Sequence, residues 1–362
     1  MVRAPCRARP GGGEALFGKP KRTVALDIGA SSIKLVEVER RGSKSKLAHC
    51  AVAALDSDAI VDGEVMNRPA VVRTIGELFS GQRIQRRRVV SGICGRGVIV
   101  KKIAMERMNH EEASEAIYWE AEQHVPYGID DVVLDFKILD TDIGPSQMQV
   151  LLVAAKRNVV MNHAEIVRES GLIPDVVDVH SFAVQNVLEL NHAPEPGQVV
   201  ALLNAGAEIT NICIVRDGTP LYTQDISTGA HRLIHAVQRA HQIPRREADE
   251  AIRGASNGKI DISPLLDEFC RELSAGLDKS LIFLRTAGDA DGIDRVVVSG
   301  GCARIPGFLE RLRAAQSVPV EQIDPLAEME IPSGTLDAQE APAIAPQLAV
   351  AIGLALRKGR GE

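Results

Sequence analysis

Two stretches of this chain are written to one plan, and that repetition limits what the chain can fold into more than any other feature. Residues 23–55 read as an apolar strand, a tight polar turn, a second apolar strand and a third. Val24, Leu26 and Ile28 alternate with Thr23, Ala25 and Asp27; the turn is Gly29-Ala30-Ser31-Ser32, and Ile33, Leu35 and Val36 resume the apolar pattern. After Pro194-Glu195-Pro196-Gly197, the clearest internal boundary, the plan starts again. Residues 199–203 are an apolar strand, Asn204-Ala205-Gly206-Ala207-Glu208 a turn, 210–215 a second strand, Asp217-Gly218 a hairpin turn and 221–226 a third strand. A repeat of this kind predicts two related α/β halves facing one another, with both glycine turns directed into the space between them.

A third glycine turn, Ser299-Gly300-Gly301-Cys302-Ala303, follows the apolar strand 293–298. Glycine lets the backbone bend sharply, and the N–H groups and hydroxyls of such turns can face an anion. One turn alone is also what an ordinary hairpin with a solvated Lys34 looks like. Three of them, each at the end of an apolar strand, can cradle the phosphates of a nucleotide from two sides while the third packs beside its base or ribose. Asp27 at the mouth of the first turn could hold a metal ion through water, with Lys34 beside it. No GxxxxGK[ST] or GxGxxG occurs, so neither a Walker A loop nor a Rossmann fingerprint is present.

Between the repeats, Pro69 sits where a helix can start, and Val71, Val72, Ile75, Leu78 and Phe79 recur at helical spacing. Arg86-Arg87-Arg88 reads as a solvated loop before a strand at 89–93. Residues 98–172 run strand, helix, strand, strand, helix, the look of a small α/β subdomain inserted into a larger one. Its first helix, 110–124, is preceded by Asn109 as cap and carries Glu111 and Glu112 in its first turn. Further helices are expected at 181–191, 229–241, 245–253, 265–287, 308–315 and 348–356, with 328–346 as loop. The leucine stripe of 265–287 reads as core.

Aromatic residues are scarce, Trp119 with three Tyr and seven Phe, and the net charge is −6, so a base-stacking nucleic-acid platform is not expected. Six scattered cysteines lack metal or disulfide-scaffold spacing and read as buried thiols in a reducing compartment. His231 and His235 are four apart, but HRLIH lacks the glutamate of HExxH and any third ligand. No stretch has the length of a membrane-spanning helix. Residues 1–20 read as a disordered basic arm and 357–362 as a frayed basic tail.

Six segments carry a family likeness: ALDIGASSIKLVEV (25–38), AIVDGEV (59–65), YWEAEQHVPYGIDDVVLDFKIL (118–139), LLVAAKR (151–157) with SGLIPDVVDVHSFA (170–183), and VVSGGCARIPGF (297–308). They resemble the actin/Hsp70-like ATPases, and within them the FtsA-like branch that includes the PilM family of type IV pilus assembly proteins. The resemblance spans about residues 22–356. It implies an actin-like fold, a duplicated ribonuclease H-like motif in two lobes around a nucleotide cleft, with an FtsA-type inserted subdomain. By it, 21–97 and 173–197 are subdomain 1A, 98–172 subdomain 1C, 198–228 and 293–356 subdomain 2A, and 229–292 subdomain 2B.

Carried over residue by residue, the resemblance makes Asp27, Gly29, Ala30, Ser31, Ser32 and Lys34 the first phosphate motif, and Asn204, Gly206, Ala207, Glu208 and Thr210 the second. Gly229 joins the site, and Gly300, Gly301, Cys302 and Ala303 form the adenosine motif. ATP or ADP is the implied ligand, with Mg2+ at Asp27. The implied role is a cytoplasmic scaffold at the inner face of the inner membrane that grips the N-terminal cytoplasmic peptide of PilN in a groove between 1A and 1C. Its links to other pilus platform and motor proteins, and to the membrane, run through partners. Tyr118 and Trp119 read as subdomain core or groove wall. Relatives usually open the second phosphate motif with Asp; here it is Asn204, which predicts nucleotide binding with weak or absent hydrolysis. An active ATPase or small-molecule kinase on the same fold, or a type II secretion or FtsA-like membrane-associated scaffold, is the competing reading.

Overall fold

The computed structural model describes residues 21–357 apart from 43, 62, 145, 192–193, 256–259 and 338. The arm expected at 1–20 and the tail beyond 357 lie outside the described residues. The chain opens with β1 (Lys21–Ile28), β2 (Ser32–Arg41) and β3 (Lys44–Ala54), then the short pair β4 (Ile60–Val61) and β5 (Glu64–Val65), α1 (Arg68–Gln82) and β6 (Arg88–Ile93). There follow β7 (Val98–Glu106), α2 (His110–His124), β8 (Val132–Gly144), β9 (Gln147–Lys156), α3 (Arg157–Glu169), β10 (Ile173–Val179) and α4 (His180–Asn191). The second half holds β11 (Val199–Ala205), β12 (Thr210–Arg216), β13 (Thr219–Ile226), α5 (Ala230–His241), α6 (Arg245–Ile252) and α7 (Ser263–Ala287). It closes with β14 (Arg295–Ser299), α8 (Phe308–Ala315), β15 (Val320–Gln322), β16 (Met329–Glu330), α9 (Ala341–Ile344) and α10 (Ala349–Ala355).

These strands build two sheets of the same design. In the first the order is β10-β6-β1-β2-β3-β16, in the second β13-β12-β11-β14-β15. Each leading strand, β1 or β11, has its antiparallel hairpin partner on one side and a parallel strand on the other, reached only after a helical crossover. All strands that run parallel to β1 or β11 therefore end on one edge of their sheet, where loops collect. The three-stranded sheet β7-β9-β8 is made wholly from the segment between β6 and β10.

Packing explains why the two sheets face one another. Ala25, Val36 and Val38 of the first sheet share one core with Val200, Leu202, Cys213 and Val215 of the second, and α4 and α10 fill the space between them. α10 meets α4 so closely that a Cβ on Gly353 would overlap the Ala183 carbonyl. The outer face of the first sheet is covered by α1 and α3 through Val71, Ile75, Phe79, Ile166 and Val167. The outer face of the second is covered by α5–α8, and the stripe of α7 (Leu266, Phe269, Leu273, Leu277, Leu284) is buried there.

The inserted sheet packs on α2 through Ala113, Ile117 and Ala121. α2 starts where the sequence predicts: Asn109 accepts from the Glu111 and Glu112 N–H groups, and Glu112 accepts from the Asn109 N–H in return. The inserted sheet also touches the second lobe, through a Lys102–Asp289 ion pair and the Thr223 hydroxyl, which donates to the Val100 carbonyl at 3.5 Å.

Three expectations change. Trp119 and Tyr118 are 72% and 53% exposed, because α2 turns its small residues inward, so neither belongs to the subdomain core. The segment expected as loop at 328–346 contains β16 and α9. β16 adds to the first sheet by pairing Met329–Glu330 with Ser45–Lys46, a contact too short and too distant in sequence to leave a periodic signal. Of the three consecutive arginines, Arg88 begins β6 and pairs with Asp175 at 2.6 Å, while Arg86 and Arg87 are exposed.

Candidate nucleotide site between the lobes

The three glycine turns meet. A cavity of about 520 Å3 is lined by Asp27, Gly29, Ala30, Ser31, Ser32 and Lys34 from the first, Asn204, Gly206, Ala207 and Glu208 from the second, and Gly300 and Gly301 from the third. Its size is that of a small-molecule or cofactor site. A larger cavity of about 1310 Å3 adjoins it, sharing Cys94, Glu208 and Ile209, and extends along α5 and α7 past Gly229, His231, Arg232 and Glu272. The remaining expected residues lie beneath. Thr210 is fully buried and its hydroxyl donates to the Thr228 carbonyl at 2.6 Å. Cys302 is also buried, with its thiol donating to the Gly206 carbonyl at 3.1 Å, and Ala303 lines neither cavity.

The turns are held by their own backbones. The Gly29 N–H donates to the Ser32 carbonyl at 3.1 Å and the Gly206 N–H to the Ile209 carbonyl at 3.0 Å. Gly206 and Ala207 in turn offer their carbonyls to the Ala230 and His231 N–H groups, so the second turn is docked on the start of α5. Gly300 has φ +92, and a Cβ there would strike the Ala205 backbone, which is why only glycine passes so close to the end of β11.

Charge is concentrated on the first turn. Asp27 and Lys34 are direct cross-strand partners, and Lys34 Nζ lies 3.1 Å from Asp27 Oδ2 with both side chains nearly buried. His180, the first residue of α4, places Nε2 3.8 Å from the other Asp27 oxygen. Burial pulls the His180 pKa down, but Cys94, hydrogen-bonded beside it, and the Asp27 and Asp225 carboxylates outweigh burial and carry it up to about 9. His163, also at the cavity, goes the other way: burial and the charge of His180 push it down to about 4.

The second turn is neutral at the equivalent place. Asn204 accepts from the Ser299 hydroxyl at 3.1 Å and donates to Asn211 at 2.9 Å; Asn211 donates to Asp225 at 2.7 Å. Asp225 also accepts the Gly95 N–H at 2.5 Å, so this relay crosses from the second lobe to the loop after β6. Glu208 accepts the Gly63 N–H at 3.3 Å and lies 3.5 Å from His231 Nδ1. Sequence reading missed Cys94, His163, His180 and Asn211. The signal for Cys94 and His180 was positional: each follows directly on a parallel apolar strand, β6 or β10, as the glycine turns do on theirs.

Duplicated sheets with matching strand order, helices packed between them, and three strand-end turns on one interlobe cavity make up the actin-like fold. The same fold is seen in the ethanolamine utilization protein EutJ of Carboxydothermus hydrogenoformans (17% identity, 93% of this chain and 90% of that one, TM-score 0.56). It is seen again in MreB 5 of Spiroplasma citri bound to AMPPNP (12% identity, 93% and 95%, TM-score 0.52). A family profile described as type IV pilus assembly protein PilM matches residues 25–359. The chain is also 30% identical to a chain of the solved PilM-PilN type IV pilus biogenesis complex, over 92% of this chain and 98% of that one, with a TM-score of 0.82. It belongs to the PilM family of type IV pilus assembly proteins.

Proposed function

We propose that this chain is a nucleotide-binding scaffold of the type IV pilus inner-membrane assembly platform. The observation that carries the reading is the convergence of three glycine turns on one cavity in a chain of the PilM family. In this reading the nucleotide's phosphates lie between the Gly29–Ser32 and Gly206–Glu208 turns, Gly300 and Gly301 face the sugar, and the base extends toward α5 in the outer cavity. Thr210, Cys302 and Ala303 support those turns from below rather than touching the ligand.

Phosphate charge is met by Lys34 and His180. Both Asp27 oxygens already face these cationic groups, and Asn204 is neutral and held by Ser299 and Asn211, so the donor set does not fit a resident Mg2+. There is no second carboxylate at residue 204, Asp225 is committed to Gly95 and Asn211, and Glu208 to Gly63 and His231, which favours binding over turnover.

The partner reading follows the family. A solved relative is a complex of PilM with PilN. We assign this chain the N-terminal cytoplasmic peptide of PilN as partner, in a groove between 1A (21–97, 173–197) and 1C (98–172). Exposed Tyr118 and Trp119 on α2, with Met161 on α3, are its candidate apolar contacts. No helix among the described residues is long and apolar enough to cross a membrane, and recruitment to the inner-membrane face then runs through the partner. Calorimetric titration of a PilN N-terminal peptide, with and without saturating ATP, tests both halves. The expected result is micromolar binding that shifts with nucleotide. No peptide binding refutes the scaffold reading, and equal affinity in both titrations refutes the coupling.

A further inference from the structure

We propose that the basic edge of the first sheet is a membrane-facing surface that binds anionic lipid headgroups directly. The sheet has two ends. At one, β1, β6 and β10 run out into the loops and helix start that line the inter-lobe cavity. At the other these strands begin, beside the end of β2 and the start of β3, and the register gathers their charges. Lys21 stands opposite Arg40, and Arg41 opposite Lys44. Val24 is level with Val89, so Arg86 and Arg87, just ahead of β6, lie at the same end. Lys21, Arg22, Arg41, Lys44, Arg86 and Arg87 are all exposed.

The carboxylates of this edge do not neutralise it. Glu39, Asp175 and Glu330 are each engaged by a basic residue, Arg22 at 2.9 Å, Arg88 at 2.6 Å and Lys46 at 3.6 Å. Arg41, Lys44, Arg86 and Arg87 have no carboxylate partner among the described residues. The sequence on either side adds to the row. Ahead of Lys21 it holds Arg3, Arg7, Arg9 and Lys19 against Glu14. Lys358 and Arg360 follow Leu356, whose carbonyl accepts from Arg40 Nη1 at 2.7 Å.

The opposite sign is collected beyond the other end. Residues 98–156, which leave the sheet past Ile93 and return through α3, carry eleven acidic and five basic side chains, a net −6 equal to that of the whole chain. The total therefore hides a polarised molecule. With a screening length of about 8 Å at physiological salt, an approaching surface responds to the edge it meets and not to the sum. An anionic bilayer gains about fivefold in binding for each Lys or Arg brought near it. The six residues line neither inter-lobe cavity, and no aromatic ring stands among them to stack a base, which favours headgroups over nucleic acid. Half-exposed Ile173, level with Arg88, is the apolar side chain beside them, so the contact is peripheral and reversible and needs a second tether, such as the peptide partner. The lipid contact itself rests on neither the nucleotide cavity nor the peptide groove.

The test is sedimentation of the full chain with vesicles of phosphatidylcholine alone or mixed with phosphatidylglycerol, without nucleotide or peptide. Binding to the mixed vesicles only is expected, weakening about tenfold or more as salt rises from about 0.1 M to about 1 M and the screening length falls from about 10 Å to about 3 Å. Arg41→Gln, Arg86→Gln and Arg87→Gln together should weaken it about a hundredfold. Arg246→Gln, Arg271→Gln and Lys279→Gln, exposed on the second lobe, should leave it within about threefold of the parent. No binding of the parent to mixed vesicles, equal binding to both vesicle types, or equal losses in the two triple variants overturns the proposal. A single-stranded RNA bound through the same three arginines, with vesicles ignored, assigns the edge to nucleic acid and overturns it too. Should the edge variant not fold, Arg41→Gln alone decides: a loss of about fivefold is expected, and an unchanged affinity overturns the proposal.

Discussion

The turn between β1 and β2 and the turn between β11 and β12 occupy equivalent places in two equivalent sheets, yet their polar residues are used differently. On the first, Asp27 and Lys34 face each other across the ladder as a nearly buried ion pair, with His180 on the far oxygen. On the second, Asn204 and Asn211 hold the same cross-strand register, and the pair is neutral. The backbone plan is duplicated while the charge is not. In the proposed reading the charged lobe attracts the anion; the other lobe supplies a wall whose polar side chains bond one another and are tied, through Asp225, to the first lobe at Gly95.

The sharpest way to break that contrast is to remove the charge from the first turn. Lys34→Met is expected to cost about 30- to 100-fold in ATP affinity by calorimetry, the loss of a charge-assisted phosphate contact. It also leaves buried Asp27 with His180 as its remaining cationic partner, so the denaturation midpoint should drop by the equivalent of about 2 kcal/mol. Asn204→Ala, its counterpart in the second lobe, should change affinity less than about tenfold, since it removes only neutral contacts. Similar losses at both positions would erase the asymmetry.

A smaller effect is expected where the lobes are tied together. Asp225→Asn weakens the acceptor for the Gly95 N–H and should raise hydrogen exchange at residues 94–97 by about tenfold, read by mass spectrometry, a charged hydrogen bond exchanged for a neutral one. Unchanged protection would show that the relay does not hold the lobes. Asn204→Asp sharpens the comparison from the other side by making the second turn acidic. Phosphate release from ATP should rise above the parent's level, with affinity shifted by less than about threefold; a fall in release would mean that charge at residue 204 is not what limits turnover.

The gentlest prediction concerns pH. His180 is held above its ordinary value, so the folded state binds its proton more tightly than the unfolded chain does. That contribution to stability is fully present below about pH 6.5 and is lost as pH rises toward about 9. His163 is held below, so its contribution is present above about pH 6.5 and lost as pH falls toward about 4. In urea titrations, His180→Gln should flatten the alkaline limb and His163→Gln the acidic limb. Unaltered limbs would remove both groups from the electrostatics of the cleft.

Much of this was legible in the sequence because it is local. The cap of α2 needs only Asn109 and Glu112, three residues apart, and the glycine turns announce themselves by following apolar strands. The repeat gave the facing sheets, because alternation in 23–38 and 199–215 can be satisfied only by strands with a buried face. What stayed hidden is what depends on register across long separations. Asn204, Asn211 and Asp225 align only once three strands are paired, β16 joins β3 from nearly three hundred residues away, and His180 meets Asp27 only when β10 is laid beside β6 and β1. The outward turn of Tyr118 and Trp119 was hidden for a different reason: the two rings follow directly on buried Ile117, and large aromatic side chains read as core by size alone.

A crystal structure grown with a nonhydrolysable ATP analogue, without added metal, bears most directly on where the ligand goes. Phosphate density is expected between residues 29–32 and 206–208 within reach of Lys34 Nζ, with the sugar against Gly300 and Gly301. Density elsewhere on the protein, or an inter-lobe cavity still empty at saturating analogue, would contradict it.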